Sequence, residues 1–319
     1  MKGSAIAHPI QGLIKYHGLK DEALRIPYHD SISVATSPTN SHTTLEFGGF
    51  RKDVATVDGK KLVARELERV LSVVDEVRVR SGIKKKFRME SRNNFPSNVG
   101  LGASASGFAA LAMAACSAAD MRLSLEQISV IARRGAGSAT RSVTGAFSRW
   151  KAGFEDDESY SYQIASEDFQ IGIVVALIPA FKQTEDAHKA VLTSPFFHSR
   201  LAFVHGALAE MENAIRKKNI SKIGSLAERD SLILHGITMT SVDEMLLWRP
   251  ETVKVILEVR EMRSEGLEAY FSIDTGATVY VNTAPKNVRV VERRIKALGI
   301  DTLTCGVGGA ARITEEHLF

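Results

Sequence analysis

The amino-acid sequence predicts an α+β fold, with strands and helices mixed in both halves of the chain. Three features predict it. Short β-rich segments alternate with turn residues over the first fifty positions, apolar residues recur at three-and-four spacing over 60–79, and a glycine-rich stretch opens a small-residue apolar run at 104–119.

Taken in order, SAIAHPI, GLIKY, SISVATS and HTTLEF read as antiparallel strands, the last two separated by Pro38-Thr39-Asn40. Leu62, Val63, Leu67, Val70, Leu71, Val74 and Val77 share one face of a helix over 60–79. KFRMES is a short strand, and it leads into NNFPSNVGLGASASGFAALAMAA, Asn93 to Ala115, whose second half is a buried helix. Ser124 with Gln127 three places on forms a capping-box start for a helix to about Arg134. GAGSATRSVTGAFSRW reads as a glycine-hinged turn, one helical turn and a strand. The acidic run Glu155-Asp156-Asp157-Glu158 is an exposed loop and the best domain boundary, which divides the chain into 1–165 and 166–319. Beyond it, IGIVVALI is a buried strand, Pro195 starts a helix to about Lys218, 220–232 starts another, and Pro250 heads a third to Ser264. LEAYFSIDTGATVYVNT is a hairpin with Asp274-Thr275-Gly276 at its turn, and a last helix, 286–298, precedes TCGVGGAARI.

At 319 residues and 34.8 kDa the chain exceeds the usual single-domain size, so two lobes or one large body with a deep cleft are expected. No charge-free apolar stretch is long enough for a bilayer, and MKGSAIAHPI has no signal core, so a cytoplasmic address with no membrane contact follows. Cys116 and Cys305 are too few for a disulfide framework and read as reduced structural thiols. The net charge is +4, but the cations are scattered, the densest run being Lys84, Lys85, Lys86 and Arg88. That pattern argues against nucleic acid and suits an anionic small molecule. His17, His29, His188, His205 and His235 lack i, i+4 metal spacing, so no metal site is expected. His17, beside Lys15, is the histidine to test.

Gly100-Leu101-Gly102-Ala103-Ser104 runs straight into a helix. A helix start offers unpaired N–H groups and partial positive charge, and glycine lets an anion approach the main chain. The same residues also suffice for a simple turn and cap. The stretch is neither a Walker loop, since no Lys follows the last Gly, nor a dinucleotide fingerprint.

The stretch from Pro96 to Gly107 resembles the Pro-x-x-x-Gly-Leu-x-Ser-Ser-Ala phosphate loop of the galactokinase, homoserine kinase, mevalonate kinase and phosphomevalonate kinase (GHMP) superfamily. Within it, NFPSNVGLGASASGFAALA is most similar to the NFPTAAGLASSASGFAALA of the mevalonate diphosphate decarboxylase family. The likeness runs along the chain in order through Ile14-Lys15-Tyr16-His17-Gly18, Ser31-Ile32-Ser33-Val34, Gly137-Ser138-Ala139-Thr140-Arg141-Ser142 and Phe271-Ser272-Ile273-Asp274-Thr275-Gly276. The resemblance implies a two-lobed GHMP-kinase-like fold with a deep cleft, an N-terminal lobe like ribosomal protein S5 domain 2 and a ferredoxin-like C-terminal lobe. It also implies a homodimer.

Enzymes of that family phosphorylate the 3-hydroxyl of a mevalonate phosphate from ATP, then release the 3-phosphate together with carbon dioxide to give an isopentenyl phosphate. By that resemblance Asp274 is the catalytic aspartate, receiving the hydroxyl proton or stabilising the carbocation, Arg141 holds the substrate carboxylate, and Lys15 orients Asp274 and attracts phosphate. Gly100, Gly102, Ala103, Ser104, Ala105, Ser106 and Gly107 would bind phosphate. Tyr16, His17, Lys20, Asp21, Ser138, Lys182, Gln183 and Thr184 would complete the substrate side.

Departures from the family bear on the substrate. Asn-Ile-Ala becomes Ile10-Gln11-Gly12, the lysine of Tyr-Trp-Gly-Lys becomes Leu19, Ser-Ser-Thr becomes Lys182-Gln183-Thr184, and Ala103 stands for one loop serine. They fall on groups that hold the substrate's 5-diphosphate, where each lost donor costs about 1–3 kcal/mol, so a 5-monophosphate is expected. AHPIQGLIKYHG and RIPYHDSIS resemble the archaeal branch, whose members use either mevalonate 5-phosphate with ATP or mevalonate 3,5-bisphosphate without nucleotide. The first type is familiar from halophiles with strongly acidic proteins. The basic composition here sets the expectation at the second: a 3,5-bisphosphate decarboxylase needing no cofactor, with ATP and Mg²⁺ required only under the alternative of an ATP-dependent phosphomevalonate or diphosphomevalonate decarboxylase. A further alternative is a small-molecule kinase without decarboxylation.

Overall fold

The computed structural model of the chain describes residues 1–96, 100–179 and 184–319. The alternating N-terminal segments form β1 (Lys2–Ala7), β2 (Ile10–Ile14), β3 (Leu19–Asp21), β4 (Ile26–Pro27), β5 (Ser31–Ser37), β6 (Ser41–Gly48), β7 (Val54–Val57) and β8 (Lys60–Lys61). The first helix, α1 (Ala64–Ser81), starts later than its apolar spacing suggests because Lys60 and Lys61 pair with Val57 and Thr56. It ends at Gly82, whose φ of 73° lets its N–H bond Arg78 O at 2.8 Å.

After β9 (Lys86–Asn93) come α2 (Ala103–Ala118) and α3 (Leu125–Arg133). The expected capping box closes α3, with Gln127 N donating to Ser124 Oγ at 3.3 Å and Ser124 N to Gln127 Oε1 at 2.9 Å. Then follow α4 (Ala139–Thr144), β10 (Phe147–Trp150), β11 (Ser161–Ala165), β12 (Gly172–Ala176), α5 (Thr184–Ala190), α6 (Phe197–Arg216) and α7 (Ile220–Met239). The chain ends with α8 (Pro250–Ser264), β13 (Ala269–Ile273), β14 (Val279–Thr283), α9 (Val288–Lys296), β15 (Thr302–Val307) and β16 (Arg312–Thr314).

Among the described residues the strands make a six-stranded sheet, β16-β1-β6-β9-β7-β8, and a larger one ordered β11-β10-β5-β15-β12-β14-β13 with β2 also on β5. Strands from both halves of the chain therefore share each sheet: β15 pairs with β5 at Gly306–Ser37 in the larger one, and β16 returns to β1 in the six-stranded one. Three apolar layers follow. Alanine-rich α2 packs with α1 and α3 against the first sheet, α6 and α7 cover one part of the second, and α8 and α9 cover β12–β14. No helix among the described residues is long and apolar enough to cross a membrane. Cys116 and Cys305 are buried free thiols, pushed up by burial to about 12 and about 11.

This arrangement brings four distant segments together. The end of β2, the start of α2, the short α4 and the turn after β13 all open onto one cleft, which α5 also borders.

Candidate active site

The cleft is lined by Ile10, Gly12, Lys15, Tyr16 and His17, by Gly100, Gly102 and Ala105, by Ser138 and Arg141, and by His188, Asp274 and Thr275. All three catalytic candidates read from the sequence meet there. The turn between β13 and β14 presents Asp274, whose Oδ1 accepts a hydrogen bond from Gly12 N at 3.0 Å. His235, near the end of α7, holds the same turn from behind, its Nε2 2.8 Å from Asp274 O.

Lys15 is almost fully buried. Its Nζ donates to Ser272 Oγ at 2.8 Å and to Ser231 Oγ at 3.0 Å, and lies 3.5 Å from Asp230 Oδ2. Burial lowers its pKa below the usual lysine range, opposed chiefly by Asp230 and then by Asp274. Asp230 pairs in turn with Arg200 at 2.6 Å, both with side chains at most 1% exposed. Breaking such a pair by removing one member leaves an uncompensated buried charge and costs about 3–5 kcal/mol.

Arg141 projects from α4 and is 3% exposed. Its Nη1 donates to Ser31 Oγ, and its guanidinium carbon lies 5.4 Å from the Tyr16 ring and 5.8 Å from the Trp150 ring. Burial pulls its pKa down to about 10, offset by Tyr16 and Asp274, so the group is cationic at neutral pH. Its Nε is buried without a partner among the described residues. Such an edge fits a planar carboxylate. The Tyr16 hydroxyl bonds the Ser138 backbone, and a Cβ at Gly137 would lie 2.5 Å from that hydroxyl and 2.7 Å from the Trp150 ring. Glycine at 137 is what lets this aromatic platform sit under Arg141.

The start of α2 carries the glycine loop. Gly102 adopts φ 76°, and the N–H groups of Ala105 and Ser106 turn back to Gly102 O at 2.8 and 3.4 Å. The donors that helix geometry leaves without an intrahelical partner are thus those of Ala103 and Ser104. Tyr280 Oη donates to Gly100 O at 3.2 Å, tying the loop to the hairpin that carries Asp274. On the other side of this helix start lies a second cavity of about 490 Å³, lined by Ala103, Ser104, Gly107 and Phe108 with Leu62, Val70, Met89, Asn93, Lys60, Lys61 and Arg69 among its walls. Its size falls within the roughly 300–1,000 Å³ of small-molecule sites.

Several expected residues lie elsewhere. Ser106 is fully buried, bonding Ser41 Oγ at 2.7 Å, so its hydroxyl serves the core and not a ligand. Lys20 sits 4.0 Å over the Phe154 ring, and Asp21 caps its own turn through Leu24 N at 2.8 Å; neither lines the cleft. Lys182 and Gln183 fall outside the described residues, and Thr184 is placed only as the first residue of α5. His17 and Ser138 do line the cleft. His17 Nε2 is 3.2 Å from Thr275 Oγ1, and burial, with His188 and His235 nearby, holds it well below the ordinary histidine range. It is therefore neutral. The residues to which the sequence assigned no role in the site are Asp230, Arg200, Ser231 and His235, which lie in no motif, and Ser272, which lies inside the Asp274 motif.

Known proteins resemble the chain along both of its halves. Residues 7–161 match a family profile described as the diphosphomevalonate decarboxylase-like N-terminal domain, and 175–301 match the mevalonate 5-diphosphate decarboxylase C-terminal domain. The chain is 44% identical over 319 residues to a phosphomevalonate decarboxylase of Haloferax volcanii, covering 99% of this chain and 98% of the relative. Among solved structures it superposes on the mevalonate diphosphate decarboxylase of Staphylococcus aureus with TM-score 0.93 at 32% identity, covering 98% of each. The corresponding enzyme of Enterococcus faecalis, described for its mevalonate diphosphate-mediated ATP binding, gives TM-score 0.92 at 29% identity over 99% of each chain.

Proposed function

We propose, from the premise that this chain belongs to the mevalonate diphosphate decarboxylase family and is a decarboxylase of the mevalonate pathway, that its substrate is mevalonate 5-phosphate and its phosphoryl donor ATP. The observation that carries the nucleotide is the second cavity, because one helix start separates it from the cleft that holds Asp274 and Arg141. Apolar walls at Leu62, Val70 and Phe108 suit a base, and Lys60 and Lys61 suit phosphates, beside Arg69, which is held on Gly135 O, and the carboxylates of Asp58 and Glu66. The residues present therefore fit a nucleotide. No cluster of three metal-ligating side chains occurs among the described residues, so Mg²⁺ would enter on the nucleotide phosphates, as it does where no all-protein cage exists.

A carboxylate in the cleft supports the same reading. Mevalonate 5-phosphate has a 3-hydroxyl proton for Asp274 to accept as the oxygen attacks phosphorus. Mevalonate 3,5-bisphosphate has none, and its 3-phosphate dianion would face a like charge. The basic composition does not weigh against this, since net charge governs solubility and association and not the chemistry of a cleft. The similarity to a relative named phosphomevalonate decarboxylase adds support.

In this mechanism Arg141 holds the substrate carboxylate through its Nε edge, while Lys15 fixes Asp274 and offsets its charge. Asp274 takes the hydroxyl proton as the 3-oxygen bonds to the γ-phosphorus of ATP and the bond from that phosphorus to the ADP oxygen breaks, so that ADP leaves; the proton then passes from Asp274 to solvent, which returns the carboxylate to its ionised form. The C3–O bond then breaks with its electron pair leaving on phosphate, to which the Ala103 and Ser104 N–H groups donate. The C1–C2 pair moves to form the C2–C3 double bond as carbon dioxide departs. The ionised Asp274 stabilises positive charge developing at C3, and the product is isopentenyl phosphate.

The test uses three substrates with purified protein: mevalonate 5-phosphate with MgATP, mevalonate 5-diphosphate with MgATP, and mevalonate 3,5-bisphosphate alone. The first is expected to release carbon dioxide, ADP and phosphate in equal amounts, the second at a kcat/KM at least about tenfold lower, the factor of about 1.4 kcal/mol that one lost donor is worth. Turnover of the bisphosphate alone, with the 5-phosphate plus MgATP inert, would overturn the reading.

A further inference from the structure

Beneath the cleft lies a charged cluster that the reaction as written does not use. Asp230 on α7 sits at 0% exposure, its Oδ2 accepting Lys15 N at 3.0 Å and its Oδ1 paired with Arg200 of α6. Arg200 Nη2 donates to Lys15 O at 2.9 Å, so one ion pair grips both ends of the Lys15 peptide unit. Ser231, next on α7, gives its own proton to Ala227 O at 2.7 Å and accepts Ile273 N at 3.0 Å. Ser272 likewise gives its proton to Gly12 O at 2.9 Å. Both hydroxyls therefore meet Lys15 Nζ only as acceptors, which requires donors on that nitrogen.

We infer that Asp230, Arg200 and Ser231 form a positioning cradle whose work is to keep Lys15 an ammonium ion, fixed within electrostatic reach of Asp274. Two buried charges on adjacent helices are a costly way to hold a fold, because an apolar pair of equal volume is often as stable. A fixed cation is what they supply. Asp230 stands on the α7 side of Lys15, Asp274 on the β13–β14 turn and Arg200 on α6, with His17 and His235 also within electrostatic range and held neutral. Burial is the largest influence on Lys15, and Asp230, whose Oδ2 lies 3.5 Å from Nζ, is the first of the two carboxylates that oppose it. The inference rests on the proposed reaction only for its kinetic readout; the charge state of Lys15 can be read without substrate.

The experiment labels lysine Cε with ¹³C in the whole protein, assigns Lys15 by loss of its signal in Lys15→Arg, and titrates it in wild type and Asp230→Asn. In Asp230→Asn the Lys15 midpoint is expected to move to lower pH, and the alkaline limb of kcat with it, with kcat at pH 8 falling about tenfold or more while KM for ATP is unchanged. An unmoved Lys15 midpoint overturns the inference, even if kcat falls, because a merely structural role would lower activity without changing that titration. Should Asp230→Asn fail to show a melting transition, Ser231→Ala decides: it keeps every charge, and a lowered Lys15 midpoint with a severalfold loss of kcat is expected. Wild-type behaviour of that variant in both readouts overturns the inference as well. If wild type turns over none of the three substrates, the reaction assignment fails while the titrations still judge the cradle.

Discussion

Asp274→Asn is expected to lower kcat by about 10²–10⁴-fold, the span that a positioned general base contributes, with KM for both substrates changing little. The amide is isosteric and keeps an oxygen to accept the 3.0 Å bond from Gly12 N, so the turn should hold its shape. Its backbone oxygen also keeps the contact with His235. What the variant lacks is an acceptor for the 3-hydroxyl proton and a negative charge beside the developing cation. Steady-state rates with a melting curve on the same preparation check this, and a variant within threefold of wild type would remove Asp274 from the chemistry.

Arg141→Gln is the second large effect. Truncating one partner of a buried charged contact costs about 2–5 kcal/mol, so kcat/KM for the mevalonate substrate should fall by about 30- to 5,000-fold while KM for ATP stays near wild type. Arg141→Lys should rescue little, since a single ammonium cannot offer the two parallel donors of the guanidinium edge. Stability should move the other way or not at all. The wild-type cation is 3% exposed, its pKa pulled down to about 10, so a neutral side chain relieves desolvation and the melting temperature should hold or rise. Activity and stability that fell together would mean that Arg141 serves the fold.

Much of this molecule could be read before any coordinates. The first strands, the capping box at Ser124 and Gln127, and the hairpin around Asp274 each carry a local signal of periodicity, capping or turn chemistry. Where several elements compete, local signals mislead: α1 loses Lys60 and Lys61 to β8, and α7 runs through Gly236, Ile237 and Thr238 to Met239 because the packing of Leu234 and Ile237 outweighs weak propensity. Small pieces such as β3 with β4 and β7 with β8 are local pairs too short to show alternation, and β7 also lies parallel to the more distant β9.

The site shows the same division. Asp274, Arg141, Lys15, Tyr16 and His17 lie in matched motifs and meet in the cleft. Lys20 and Asp21 follow the same motif by a few residues, yet the chain turns away at β3 and takes them with it. Ser106 shares the loop's sequence, but a helix sends neighbours to different faces, and this one meets Ser41. Asp230 could not be found at all: Glu228-Arg229-Asp230 looks like a solvated helical face, and only the packing of α6 against α7 reveals it as buried. The charge-based expectation of an ATP-free reaction is set without the second cavity, which is assembled from β7–β9, α1 and α2 and leaves no local mark.

On the proposed reading one cleft holds the substrate carboxylate on Arg141 and the 3-hydroxyl on Asp274. A crystal structure of the protein with mevalonate 5-phosphate and a non-hydrolysable ATP analogue tests it most directly. The carboxylate is expected to pair with the Arg141 guanidinium, the 3-oxygen to lie within hydrogen-bond distance of Asp274, and the nucleotide to fill the cavity beside Phe108. A substrate bound with its carboxylate away from Arg141, or its 3-oxygen beyond the reach of Asp274, would contradict it.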